Sequence, residues 1–335
     1  MAPKIFLTGA TGYIGGQALY TLHKAHPDYE YTIMVRDEER GKLVSAQYPD
    51  VKFIYGTNDS SDVISKAAAA ADVVVHTADS ADNMASARAI ASGLAAGHSA
   101  AKPGYWIHVC GTGMLMWYDL QEKRFGQASL PEQRYHDIDD IERITSLPHH
   151  APHRDVDEVV LAANDDPAVR TLIVSPPTIY GTGDGPVNQR SMQVPRLAAQ
   201  VLEEGFAPVQ APGLTEWNHV HIRDLGDFFV LAVDAALDPK LNADPEIFGK
   251  KGYHFLESGS HKLSDTAKWI AEEAVGLGLL DKVEVKEVQD PRIGANSQAI
   301  AARARKYLGW EPKAKGFREE IVDAVKVEAK KLGKM

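Results

Sequence analysis

The chain predicts a doubly wound α/β fold with a parallel sheet and a smaller C-terminal α/β lobe, and three observations carry that prediction. Apolar strand-like runs alternate with helix-like runs through the first half. A glycine-rich turn follows the first run directly, and near Pro176 the texture changes to a loop rich in proline and glycine. Strands separated by helical segments imply parallel pairing through crossover helices. At 335 residues the chain is long for one core and short for three, so one large unit with a smaller attached lobe is the expected division.

Taken in order, the strand-like runs are KIFLT (4–8), YTIMV (31–35), VKFIY (51–55), DVVVH (72–76), YWIHV (105–109) and VRTLIV (169–174). ISKAAAAADV sits between a polar turn and a buried run, and alanine is the best helix former, so it reads as a crossover helix. SPPTIYGTGDGP marks the exit from the main sheet. WNHVHIRDLGDFFVLAVDAAL then reads as a strand followed by a helix capped by Asp224. Residues 1–180 and 214–250 are expected to form the larger unit, and 181–213 with 251–335 the smaller one.

Composition narrows the function classes. With 44% hydrophobic and 24% charged residues and no apolar run near the roughly 20 residues of a membrane span, no bilayer crossing is expected. MAPK passes straight into IFLTGATG, which leaves no room for a cleavable signal region and predicts a cytoplasmic address. The single cysteine, Cys110, excludes an intrachain disulfide and a multi-cysteine metal site. A net charge of -10 speaks against nucleic-acid binding, so a small molecule is the expected partner.

TGATGYIGG follows the first strand and opens a helix, with Gly9, Gly12 and Gly15 in GxxGxxG spacing. Glycines there permit a tight turn and let backbone N–H groups at the helix N-terminus approach a pyrophosphate. The context is that of a Rossmann-type dinucleotide site, with Gly9, Thr11, Gly12, Tyr13, Ile14 and Gly15 as candidate cofactor contacts. The second strand ends in Arg36, followed by Asp37 and Arg40. An arginine at that point suits a ribose 2′-phosphate, so NADP(H) is expected over NAD(H). The alternative is a solvated charged turn without a ligand role.

Five ordered segments make the chain resemble an extended short-chain dehydrogenase/reductase of the NAD-dependent epimerase/dehydratase-like kind. TGATGYIGG is similar to the family's nucleotide loop, DVVVHTA to its DVVxHxA and SPPTIYGTG to its RPxxVYGPG. NHVHIRDLGDFFVLAVD and ARKYLGWEPK resemble two further segments toward the C-terminus. MVRDEER is similar to the NADPH-using reductase branch that handles aromatic and flavonoid-like ketones. The resemblance adds Thr77, Ala78 and Pro177 as candidate cofactor contacts, and it implies a catalytic Ser/Thr with a Tyr-x-x-x-Lys pair on one helix face. Tyr20/Lys24 and Tyr48/Lys52 fit the bare pattern but lie on the wrong elements.

The family's catalytic helix carries a glutamate four residues after the lysine, and Glu158 is its counterpart. Counting back puts Arg154 at the lysine position and His150 at the tyrosine position. Cys110 and Gly111 replace the serine-rich segment, leaving Thr112 as the nearest hydroxyl. A histidine near pKa 6.5 is poised at neutral pH, whereas a tyrosine near about 10 must be perturbed. The expected site is therefore Thr112, His150 and Arg154, with Arg154 on ribose or substrate oxygen, His153 as second candidate acid and Tyr180 as reserve proton donor. His149, His150 and His153 lack companion carboxylates in metal-ligand spacing, so no metal is expected.

The connection from Thr112 to Pro148 is a candidate lid. Met114, Met116, Trp117, Tyr118 and Tyr135 are expected to shape an apolar pocket with Tyr180, Trp217, His219 and His221. The expected function is an NADPH-dependent reductase that transfers hydride to a carbonyl or conjugated double bond of a mid-sized, partly aromatic molecule. The alternatives are a dehydratase, isomerase or cyclase without net redox turnover, and a non-catalytic NADP(H)-sensing protein. The resemblance also implies a homodimer.

Overall fold

Each apolar run of the first half forms a parallel strand. The computed structural model describes residues 2–335, apart from the side chain of Arg292. Along the chain lie β1 (Lys4–Thr8), α1 (Tyr13–Ala25), β2 (Glu30–Val35), α2 (Glu38–Ser45), β3 (Lys52–Tyr55), α3 (Ser61–Ala70), β4 (Val73–His76), α4 (Met84–Gly97) and β5 (Gly104–Val109). The long connection after β5 holds α5 (Trp117–Glu122), β6 (Arg134–His136) and α6 (Ile141–Thr145), followed by α7 (Arg154–Ala162), β7 (Val169–Ser175) and β8 (Thr178–Tyr180). The remainder comprises α8 (Gln193–Glu204), β9 (Ala207–Gln210), β10 (Glu216–His221), α9 (Ile222–Leu237), β11 (Tyr253–Phe255), β12 (Gly259–Lys262), α10 (Leu263–Gly276), β13 (Val285–Val288), β14 (Gln298–Ile300), α11 (Arg303–Leu308) and α12 (Phe317–Lys331).

Seven strands form the main sheet in the order β11-β7-β5-β4-β1-β2-β3, all parallel. The order reverses at β1, where Leu7 faces Ile33 on one side and Val75 on the other, and such a switch point opens a ligand crevice at the strands' carboxyl ends. Alternation along β1 sends Ile5 and Leu7 into a core shared with Leu19, Leu22, Phe228 and Phe229 of α1 and α9. Phe6 points the other way, into a core shared with Ile64, Ile90 and Val160 of α3, α4 and α7. Both faces are covered, so β4 and β5 are buried throughout.

The smaller lobe holds the three-stranded sheet β12-β10-β8 and the pairs β13-β9 and β14-β6. Val194, Ala198 and Val201 of α8, Ile270 of α10, and Phe317, Ile321 and Val325 of α12 form its core. Two details depart from the expected layout. The strand at 253–255, expected in the smaller lobe, is the last strand of the main sheet. Asp224 does not cap α9, which is capped by the His221 imidazole accepting the Arg223 N–H. Its buried carboxylate instead accepts the backbone N–H groups of Lys313 and Ala314, while its carbonyl accepts the Trp310 indole N–H. Asp224 thereby ties the C-terminal segment to the sheet. Among the described residues no helix is long and apolar enough to cross a membrane.

Candidate active site

A cleft of about 1110 Å³ opens at the carboxyl ends of β1, β4 and β5. Gly9, Thr11, Gly12, Tyr13, Ile14, Gly15, Arg36, Thr77, Ala78 and Pro177 all line it, so the sequence-derived cofactor contacts converge, Arg154 excepted. Gly9 takes a positive φ of 82°, and a Cβ at Gly15 would collide with the Gly9 carbonyl and the Thr77 hydroxyl. No side chain caps α1, and the N–H groups of Tyr13, Ile14 and Gly15 have no acceptor among the described residues. This glycine cradle with free N–H groups at a helix N-terminus fits a dinucleotide's diphosphate.

Arg36 stands exposed in the cleft wall at the end of β2 and makes no ion pair among the described residues. Asp37 is committed elsewhere, because it caps α2 by accepting the Arg40 N–H at 2.9 Å. One Asp37 oxygen is thus used by the cap, while the Arg36 guanidinium stands at the edge of the cleft.

The catalytic end differs from the expected constellation. Thr112 lines the cleft, 1% exposed, and its hydroxyl has no hydrogen-bond partner among the described residues. A buried hydroxyl without a partner is costly, and a ligand oxygen in the cleft would satisfy it. His150 lies outside, exposed, bonded to the Gln121 side chain at 3.0 Å and edge-on to Trp117. Arg154 is turned away, buried against α6, where its guanidinium donates to the Thr145 carbonyl and pairs with Glu158 at 3.5 Å.

Tyr180 is also absent from the cleft. Side chains alternate along β8, so Ile179 enters the cleft while Tyr180 points into the smaller lobe. There it packs on His219, His221 and Phe317 and donates to the Lys315 carbonyl, and burial pushes its hydroxyl up to about 12. Of the other expected pocket residues, Met116 and Trp217 line the cleft, whereas Met114 and Tyr135 are buried in the sheet's core. Cys110 lines the cleft nearly buried, with its thiol pushed up by desolvation, as suits a small apolar residue rather than a nucleophile.

His153 is the histidine in the cleft. It caps α7 in the left-handed conformation (φ 66°), and its Nδ1 lies 2.6 Å from an Asp82 carboxylate oxygen. An Nδ1–H donated to that carboxylate leaves the lone pair on Nε2. Nε2 lies over Gly113, where a Cβ would come within 2.9 Å, so glycine is needed for the ring's approach. Three histidines in HHAPH thus serve three separate partners, His149 taking Glu158, His150 taking Gln121 and His153 taking Asp82.

One turn further along α7, Asp157 is fully buried and accepts the Tyr253 hydroxyl at 2.7 Å, which in turn accepts from Ser175. Burial raises its carboxyl from 3.8 to about 6, against the opposing influence of Tyr253 and Arg154. The folded state therefore favours the protonated form. That contribution is complete below pH 3.8 and is lost as pH rises through 6. The displacement is worth on the order of 3 kcal/mol. Asp157→Asn is expected to remove this slope and to melt higher than wild type above pH 6, as thermal melts across pH 4–8 would show.

Residues 9–103 match a family described as NAD(P)H-binding. Oxidase ucsJ of Acremonium sp. is 32% identical over 354 residues, with 99% of each chain covered. The chain belongs to the extended short-chain dehydrogenases/reductases. Solved structures of this short-chain dehydrogenase/reductase fold agree. UDP-glucose 4-epimerase of Thermotoga maritima superposes with a TM-score of 0.67 at 13% identity over 98% of this chain and 99% of that one. The dTDP-glucose 4,6-dehydratase of Streptomyces venezuelae, solved with NAD bound, gives 0.67 at 15% identity over 98% and 97%. The chain therefore carries an NAD(P)H-binding domain on an oxidoreductase-type fold. His153 is only the second candidate acid in the sequence, and Asp82, 71 residues away in a turn before α4, has no motif of its own.

Proposed function

We propose that the chain is an NADP(H)-dependent oxidoreductase that interconverts an alcohol and its carbonyl on a mid-sized, partly aromatic molecule. His153 and Asp82 take the place of the family's tyrosine and lysine. The observation that carries this reading is the 2.6 Å contact between His153 Nδ1 and Asp82, in a cleft that also presents the unpartnered Thr112 hydroxyl. The glycine cradle and the first turn of α1 would hold the diphosphate, and Arg36 the 2′-phosphate. The nicotinamide, when bound, supplies hydride exchange.

His153 Nε2 takes the proton of the substrate hydroxyl in the oxidative direction and returns it in the reductive one. Asp82 fixes the ring and stabilises its charge once protonated, and the Thr112 hydroxyl donates to the reacting oxygen. Met116, Ile179 and Trp217 give the apolar wall that accepts a ring-bearing body. The Acremonium relative is named an oxidase, which favours the oxidative direction.

The cofactor assignment has its own test. Arg36→Ala is expected to weaken NADPH binding by about tenfold, the loss of a charge-assisted hydrogen bond to phosphate, with NADH binding unchanged. Titrations following nicotinamide fluorescence check it, and equal NADPH affinity in the variant would refute the 2′-phosphate role.

A further inference from the structure

We propose that Arg190 binds a carboxylate on the substrate, so that the substrate is an acid with an apolar, ring-bearing body. The proposal rests on the oxidoreductase reading of the cleft and adds the class of molecule it takes. Among the described residues, two that line the cleft carry a permanent positive charge, Arg36 and Arg190. Arg36 belongs to the main sheet, beside the glycine loop. Arg190 leaves the loop after β8 and is anchored to the smaller lobe.

Its Nε donates to Glu328 on α12 at 2.8 Å, and its backbone N–H donates to the Asn188 side chain at 3.0 Å. Glu328 is 4% exposed and also accepts from Lys331 at 3.2 Å, so one buried carboxylate is shared by two cations. Neither Nη of Arg190 has a partner among the described residues. The guanidinium is thus held by one edge, with its remaining donors free for a planar anion.

The surroundings supply room for an apolar body. Met192, two residues on, lines the cleft although 58% exposed. A second cavity of about 410 Å³, walled by Val194, Phe317 and Ile321, meets the cleft at Asn188 and Arg190. The cofactor's anionic groups have their own partners in the α1 N-terminus and Arg36, which leaves Arg190 to the substrate.

The test is calorimetric titration of NADP-saturated protein with phenylacetate and with phenylacetamide. Wild type is expected to bind the carboxylate at least about tenfold tighter than the amide, as one charge-assisted contact requires. Arg190→Gln is expected to lose that preference by weakening phenylacetate alone, Arg190→Lys to keep part of it, and NADP affinity to stay within about twofold in both. A purely structural tie to Glu328 would weaken both probes equally and overturn the proposal. So would a missing carboxylate preference in wild type, its survival in Arg190→Gln, or a loss of NADP affinity in that variant, which would assign Arg190 to the cofactor. Wild type that binds phenylacetate selectively but no NADP would strike the cofactor reading and leave the Arg190 assignment standing.

Discussion

Gly15→Ala is expected to weaken NADPH binding by at least about a hundredfold, or roughly 3 kcal/mol. The added Cβ meets the Gly9 carbonyl, part of the backbone, and the Thr77 hydroxyl, which is itself fixed by donating to the Thr8 carbonyl at 2.7 Å. Neither neighbour can give way by rotating a side chain, so the loop must open and the cradle for the diphosphate is lost. Nicotinamide fluorescence gives the affinity and a thermal melt separates this loss from unfolding. A folded Gly15→Ala protein with wild-type NADPH affinity would place the cofactor elsewhere.

His153→Gln is expected to lower turnover by about 10² to 10⁴, the usual worth of a positioned general acid–base, while NADPH affinity stays near wild type. Glutamine keeps a polar group that bonds Asp82 but has no imidazole to exchange a proton. Asp82→Asn should fall by less, because the ring remains and only its orientation and charge stabilisation are lost. His150→Gln, by contrast, should leave turnover unchanged, since His150 is exposed and bonded to Gln121 away from the cleft. The readout is nicotinamide absorbance with the best substrate of an alcohol and ketone panel.

The contrast between the two histidines shows where the sequence stops being informative. Parallel strands covered by helices on both faces are largely apolar runs, and the six strands from KIFLT to VRTLIV, the partly exposed edge strand β3 included, were legible to within a residue or two. The glycine loop was legible because tight backbone approach admits little else. Which histidine enters the cleft was not. Placing His150 and Arg154 one turn apart presumes a helix through both, but Pro152 disfavours helical backbone at Ala151, and α7 begins only at Arg154. His153 is consequently left as the cap, in a left-handed conformation that swings its ring over Gly113 and into the cleft.

Other misses have equally local causes. The period of two along β8 decides that Ile179 and not Tyr180 faces the cofactor space, and a three-residue strand after a proline pair carries too little pattern to fix that phase. The strand at 253–255 is short and follows a long irregular stretch, so nothing in YHF announces that it closes the main sheet. Asp82 becomes a partner of His153 only through the packing of α4 against α7, a tertiary contact that no spacing rule encodes.

Redox chemistry in this cleft would run through the His153 acid–base. Its most direct test follows nicotinamide absorbance and product together in wild-type protein across a panel of secondary alcohols and ketones. One nicotinamide oxidised or reduced for each product molecule is expected, with both signals lost in His153→Gln. Product formed with no change in nicotinamide would contradict it, and would assign the His153–Asp82 pair to proton transfer without net redox turnover.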